Sequence, residues 1–208
     1  RSDVGNENLM YGAAYTPHLI TSISPIYTKD EIQLNGKKLK DLTPKQQHLV
    51  GQFMKSKCVK LPPSPAIAGI HAMIDANQGV WKALLNVSLS QVISLTKNIS
   101  QQEQESLNID PLEGKSINAI RSFPGQGILL WGARTLAGND NEWRYVNVRR
   151  FFNMVEESVR KSIAFAAFES NDAHTWASVK ALIENYLLGL WQQGGLAGAK
   201  SEQAYFVK

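Results

Sequence analysis

Cysteine is almost missing. Cys58 is the single one in 208 residues, which excludes an internal disulfide and any cysteine-rich zinc site and points to a reducing compartment or to assembly inside a cell. No apolar run approaches the ~20 residues of a membrane span, and the first residues show no signal-peptide pattern. Charge is sparse: 22 Lys+Arg against 18 Asp+Glu, 19% of the chain, netting +4. No run of Lys or Arg exceeds two residues, so a basic tail that grips phosphate backbones is absent. The charge balance implies a preference for an acidic partner surface at most. Internal repeats and low-complexity segments are also lacking. What is present is apolar substance, 43% of the residues, which excludes intrinsic disorder and suffices for one ordinary domain or two small ones.

The motifs that usually announce chemistry are incomplete. Gly114-Lys115-Ser116 matches the end of a phosphate-binding loop, but Ile109 stands where the first glycine belongs and a strand-like run follows instead of a helix, so a turn is expected. Gly125-Gln126-Gly127 lacks a third glycine and precedes a strand, which reads as a hairpin. His18, His48, His71 and His174 show no metalloprotease spacing, and no Gly-x-Ser-x-Gly elbow is found. Cys58 follows Lys55 and Lys57, neighbours that lower a thiol's pKa, yet a lone cysteine in a basic linker is more often inert. Two of Asp110, Glu113, Glu142, Glu156 and Glu157 could converge as an acid–base pair, but the cations downstream of Glu156 and Glu157 favour a solvated face, and Asp75 has no partner legible in sequence.

Element signals are clearer. Residues 9 to 27, rich in Tyr, Ile and Thr with two prolines, read as an edge strand. Asn35-Gly36 marks a turn. Thr43-Pro44-Lys45-Gln46 is a capping box opening a helix with Leu49, Val50, Phe53 and Met54 on one apolar face. After Pro62-Pro63, Ser64 is expected to cap a helix bearing Ile67, Ile70 and Ile74, ended by Gly79. Residues 87 to 99 have strand composition, and Ser100 to Glu103 is a second capping box. Ile117–Arg121 and Ile128–Ala133 read as strands of a sheet covered on both faces. A helix from about Trp143 to Ala167, capped by Asn141 or a neighbour, carries a stripe of Tyr145, Val148, Phe152, Val155, Val159, Ile163 and Ala166, with Glu156–Arg160 and Glu157–Lys161 pairs outside. Asn171-Asp172 starts a second helix, stopped by Gly194-Gly195, and a strand is expected at Ala204–Val207. The fold class is therefore α/β (α+β): a mixed sheet packed by two long C-terminal amphipathic helices and shorter ones.

Arg134, Arg144, Arg149, Arg150, Arg160 and Lys161 form the densest basic region. A solvated face with local ion pairs and a protein-contacting face are equally good readings of it. A nucleic-acid surface is the less favoured one, because Trp143 and Tyr145 fall toward the core stripe. An enzyme with an unrecognised site around His71, Asp75 or Asp110 is the other class left open.

Long segments nevertheless carry a resemblance. GKSINAIRSFPGQGILLWGARTLAGNDNEWRYVNVRRFF (Gly114–Phe152), PPSPAIAGIHAMIDANQGVWKA (Pro62–Ala83) and LMYGAAYTPHL (Leu9–Leu19) resemble blocks of contractile tail sheath proteins, found in phages and phage-like injection particles. The match continues in the same order to Lys208. Residues 24 to 60 read as an insertion, within what is otherwise expected to be a single sheath domain. Terminal arms known in the family are not in this sequence, and Ala204–Lys208 reads like the middle of a strand, so a piece of a longer protein, monomeric by itself, is the expectation. The resemblance implies a structural role without catalytic residues, cofactor or metal. Subunits are assembled in the cytoplasm and stack as rings around an inner tube, with baseplate and terminal cap proteins as further partners, in a virion or phage-like particle. On the local basic density, not on the resemblance, rests the further expectation that the basic residues named above touch an acidic tube or sheath neighbour, with the solvated face as the equal alternative. Membrane insertion and nucleic-acid binding are not expected.

Overall fold

The computed structural model describes residues 5–24, 32–34, 36–55 and 57–208, the side chain of Lys55 excepted. Asn35 of the expected turn, residues 25 to 27 of the expected edge strand and the Lys55 side chain beside Cys58 lie outside the described residues.

The mixed α/β architecture is built on the hairpin of β8 (Asn118–Phe123) and β9 (Gly127–Trp131). Gly125 and Gly127 both take positive φ at its tip, a conformation glycine adopts without steric penalty. Three consecutive residues are buried in each strand, Asn118 to Ile120 and Ile128 to Leu130, so the centre of this sheet is covered on both faces, as the continuous apolar runs predict. β1 (Tyr15–Thr16) joins β8 in parallel and β6 (Leu85–Ser88) joins β9 antiparallel, giving the order β1-β8-β9-β6. A three-stranded sheet places β2 (Leu19–Thr21) between β5 (Lys60–Leu61) and β7 (Val92–Leu95), and β3 (Gln33–Leu34) pairs with β4 (Lys37–Lys38).

The expected single edge strand near the start is in fact two strands separated by a cis Thr16-Pro17 bond. β1 lies at a sheet edge, but β2 is central. Proline's missing amide falls between the strands, where no ladder needs it.

Helix α1 spans Pro44–Lys55 behind the Thr43/Gln46 capping box. Its apolar face splits: Val50 and Met54 are half-buried, whereas Leu49 and Phe53 are exposed. Helix α2 (Ser64–Gln78) buries Ile67, Ile70 and Ile74, and these pack with Leu19, Leu84, Leu89, Ile120, Ile128 and Leu130 into the main core. Ser64 is the first helical residue of α2, not its cap. Pro63 occupies the cap position and no side chain bonds the free amides there, since a proline cap brings no side-chain acceptor. Helix α3 (Gln101–Asn108) has the full Ser100/Glu103 capping box.

Helix α4 covers Val146–Ser162, shorter than the expected 143 to 167. Asp140 Oδ1 accepts the backbone amides of Glu142 and Trp143, which folds those residues into a turn, and a 3-10 segment over Ala164–Phe168 replaces the last turn. The buried residues of α4 are Val146, Arg149 and Phe151, while Tyr145 and Phe152 of the expected stripe are exposed. Periodicity located an apolar face but not what covers it. Helix α5 spans Ala173–Gln192, capped by Asp172 through the Thr175 amide. The expected final strand is instead a helical turn, α6 (Ser201–Ala204), followed by extended backbone at Tyr205 that pairs with no strand among the described residues.

Phe151→Ala should therefore cost about 3–5 kcal/mol and Phe152→Ala only about 1 kcal/mol, measured by denaturant unfolding. Equal costs would restore the original stripe.

Candidate functional site

The basic residues singled out in the sequence divide into two kinds. At the start of α4, Arg149 is 4% exposed. Its guanidinium carbon lies 4.1 Å from the Trp143 ring centre, 5.3 Å from Tyr11 and 5.9 Å from Phe152. Nε donates to Asn153 Oδ1 at 2.7 Å and Nη2 to Glu156 Oε1 at 2.7 Å. A buried charge is tolerable only when paired and hydrogen-bonded, and here both conditions are met. Glu156 is thus committed to Arg149 and not to Arg160, as the i, i+4 spacing suggested. The aromatic partners come from the loop before α4, from α4 itself and from the distant segment 9–11, a grouping no local pattern reveals.

Arg150 reaches another way. Its guanidinium holds the Asp75 carboxylate with both amino groups, one bond being 3.0 Å from Nη1 to Oδ1, and Nη1 lies 2.8 Å from His71 Nδ1. Such forked pairing is the strongest side-chain geometry for a carboxylate. Asp75, without a legible partner in sequence, finds one 75 residues away. With Arg150 donating, His71 accepts at Nδ1 and is held neutral. Burial, then the Arg150 charge, push its pKa below the usual histidine value, against the opposing pull of Asp75. Burial pushes the nearby Tyr15 hydroxyl up to about 12, against the Arg150 charge.

Between these arginines and the rest of the chain lie further bonds. Asn147 Nδ2 donates to the Trp81 carbonyl at 2.9 Å, and the Trp81 ring meets Phe151 edge-on at 6.3 Å. Gly195, beyond α5, presses on the same indole, where a Cβ would come within 3.0 Å of Cε3. Asn118, 3% exposed, donates to the carbonyls of Ala14 and Arg134 and accepts the Arg134 amide, tying β1, β8 and the segment after β9 together. Neither asparagine stands out in sequence, because an amide's usefulness depends on which carbonyls meet it.

The remaining cations are more open. Arg134 donates to the Gly138 carbonyl and lies over Tyr145. Arg144 donates to the Asp140 carbonyl and to Asn141. Arg160 and Lys161 share Glu157, at 2.7 and 3.0 Å, with about 70% of each cation's side chain in solvent. The six do not make one continuous face.

As chemistry, the His71–Asp75–Arg150 cluster is self-neutralised: the carboxylate is occupied by the guanidinium and the imidazole accepts a hydrogen bond. Asp110 lies elsewhere, accepting the amides of Leu112 and Glu113. The Gly114-Lys115-Ser116 segment is a turn with Lys115 buried against Glu113, followed by β8 and not by a helix. Among the described residues no group of three His, Cys, Asp or Glu could hold a metal, and no helix is long and apolar enough to cross a membrane.

Comparison with known proteins decides the family. Residues 4–136 match the phage tail sheath protein central domain and residues 138–208 the phage tail sheath C-terminal domain. The chain belongs to the phage tail sheath family. This is a structural family, not an enzymatic one. Among its relatives, the tail sheath protein of Enterobacteria phage T4 is 28% identical over 136 residues, 65% of this chain and 20% of the relative. A putative prophage major tail sheath protein of Pseudomonas aeruginosa is 24% identical over 62% of this chain and 30% of its own length. Among solved structures, the PVC sheath complex of an extracellular contractile injection system in the contracted state is 45% identical with a TM-score of 0.67, over 73% of this chain and 42% of that one. The baseplate of the anti-feeding prophage in the contracted state aligns over 96% of this chain and 44% of its own, at 29% identity and a TM-score of 0.72. The chain thus spans 20% to 30% of the length of these curated relatives and 42% to 44% of these structures.

In this sheath chain the bonds of Arg150 to Asp75 and of Asn147 to Trp81, and the contact of Arg149 with the Tyr11 ring, cross from the C-terminal match to the central one. Arg149→Ala should cost about 2–4 kcal/mol through lost ring contacts and the cavity left by a buried side chain, and Arg149→Lys should not rescue it, because an ammonium cannot stack as a plane. Urea unfolding of both variants checks this.

The cluster also sets a pH dependence. His71 in the unfolded chain titrates near 6.5 and in the folded chain lower. Its contribution is fully present above about pH 6.5 and is lost as pH falls through the folded value. Tyr15 acts at the other end: stability is retained below about pH 10 and lost as pH rises toward 12. Thermal unfolding against pH should lose part of its acid slope in His71→Gln and part of its alkaline slope in Tyr15→Phe.

Proposed function

We propose that this chain is the body of a contractile sheath subunit, one that stacks with its own copies in rings around an inner tube and shifts against them to drive the tube through a target envelope. The observation that carries this is the pair of family matches spanning nearly the whole chain, together with the 45% identity to a sheath complex in its contracted state. Similarity to a baseplate structure supports contact with baseplate components as well, and a phage tail or injection particle as the location. Inner tube and cap proteins complete the partners that such an assembly requires.

The physical case is that contraction needs a unit that keeps its shape while its contacts change. The bonds of α4 to distant parts of the same chain, Arg150 to Asp75 and Asn147 to Trp81, supply that stiffness, and they support reading the two matched regions as one body. Of the six basic residues, Arg160 and Lys161 are the ones available to an acidic tube or sheath neighbour, being exposed and sharing a single carboxylate. Arg134 and Arg144 stand behind them as partly exposed candidates. Arg149 and Arg150 contribute from inside, by fixing the helix that presents the pair.

Electron microscopy of the full-length protein should show tubes or contracted polymers. Arg160→Glu with Lys161→Glu should reduce assembly strongly while changing unfolding stability by no more than about 1 kcal/mol. Normal extended sheaths from that variant would dismiss the contact, and a full-length protein that never polymerises would dismiss the sheath reading itself.

A further inference from the structure

Residues 24 to 60 contain eight lysines, no arginine and three carboxylates, so this segment accounts for the whole of the chain's net positive charge. Lys37, Lys38, Lys40, Lys45, Lys57 and Lys60 are all exposed, and none pairs with a carboxylate among the described residues. Elsewhere exposed cations do pair, as Lys97 with Glu103 and Lys180 with Glu184. The lysines flank α1 in sequence on both sides, with Lys45 in its first turn. Along that helix Lys45, Leu49 and Phe53 recur at intervals of four, hence on one side, and the Lys57 ammonium stands 4.4 Å from the Phe53 ring centre. Leu49 is 57% and Phe53 58% exposed. The half-buried residues of the helix, Gln47, Val50, Gly51 and Met54, follow another line. The outcome is an exposed stripe, apolar in the middle and basic at both ends, on a helix flanked by four more exposed lysines.

We propose that this stripe is a docking surface for an anionic lipid surface, on which α1 lies flat with Leu49 and Phe53 among the acyl chains and the lysines at the headgroups. Three features favour lipid over other acidic partners. Lysine is depleted from protein interfaces, which use arginine and aromatics instead. Nucleic-acid grooves combine cations with stacking rings and offer no apolar seat for Leu49. A lipid surface alone is both anionic at the level of the ammonium groups and apolar just beneath, and lysine stems reach from one zone to the other. The contact is peripheral and does not involve a spanning segment. It is independent of the sheath reading, so its test can fail while that reading stands.

The test is flotation of the chain with vesicles of phosphatidylcholine alone, or with about a third phosphatidylglycerol, at low salt and at about 0.5 M salt, where surface attraction is screened. Binding is expected to the anionic vesicles only, at low salt. It should fall about tenfold or more in Lys37→Gln/Lys38→Gln/Lys40→Gln/Lys45→Gln and several-fold in Leu49→Ala. A Leu49→Trp variant, read as the difference from the parent protein with its five native tryptophans, should show a blue-shifted emission with anionic vesicles alone, and far-UV circular dichroism of the same variant checks that it is folded. No flotation, equal binding to neutral vesicles, an unshifted Trp emission, or equal affinity for single-stranded DNA at the same salt would each overturn the proposal.

Discussion

Two adjacent arginines at the start of α4 reach parts of the chain that lie far away in sequence. Arg149 is enclosed by rings from segment 9–11, from the loop before α4 and from α4 itself. Arg150 grips the far end of α2 through Asp75 and His71. A guanidinium can do this because it is planar and always charged, and because its donors form a rigid fork. Burying it is costly unless every side is engaged, so the surrounding groups are constrained as tightly as the arginine. Trp81, Asn147 and Phe151 complete the seam with one carbonyl bond and one edge-on ring contact.

That seam decides what the apolar core has to do. The core itself is built by α2 against β8, β9 and their neighbours, entirely within residues 4–136. α5 contributes one buried residue, Leu190. Helix α4 is joined to the earlier part of the chain by the directional bonds of Arg150 and Asn147 as well as by the burial of Val146 and Phe151. On the outward side of α4, Phe152, Glu157, Arg160 and Lys161 stay exposed.

Much of this was legible in the residues. Both capping boxes, the hairpin glycines and the Ile67/Ile70/Ile74 face follow from local rules and appear as expected. The continuous apolar runs of β8 and β9 likewise gave a doubly covered sheet. Local rules failed where the deciding partner lies far along the chain. Val148 and Phe152 keep helical spacing, but the surface that α4 meets selects Val146, Arg149 and Phe151. Glu156 has a suitable arginine four residues on, yet the buried Arg149 has the greater need of a carboxylate. Asp75 and Arg150 form a site only in three dimensions. The dense basic region looked like one surface because a sequence does not show which arginines turn inward.

The most direct measurement of the central claim is native-state hydrogen exchange. If the arginine seam makes the two matched regions one body, the amides of Val146–Phe151 should exchange with the same opening free energy as those of Ile120 and Leu130, and Arg149→Lys should lower both together. A first half of α4 that opens separately, leaving β8 and β9 protected, would contradict it.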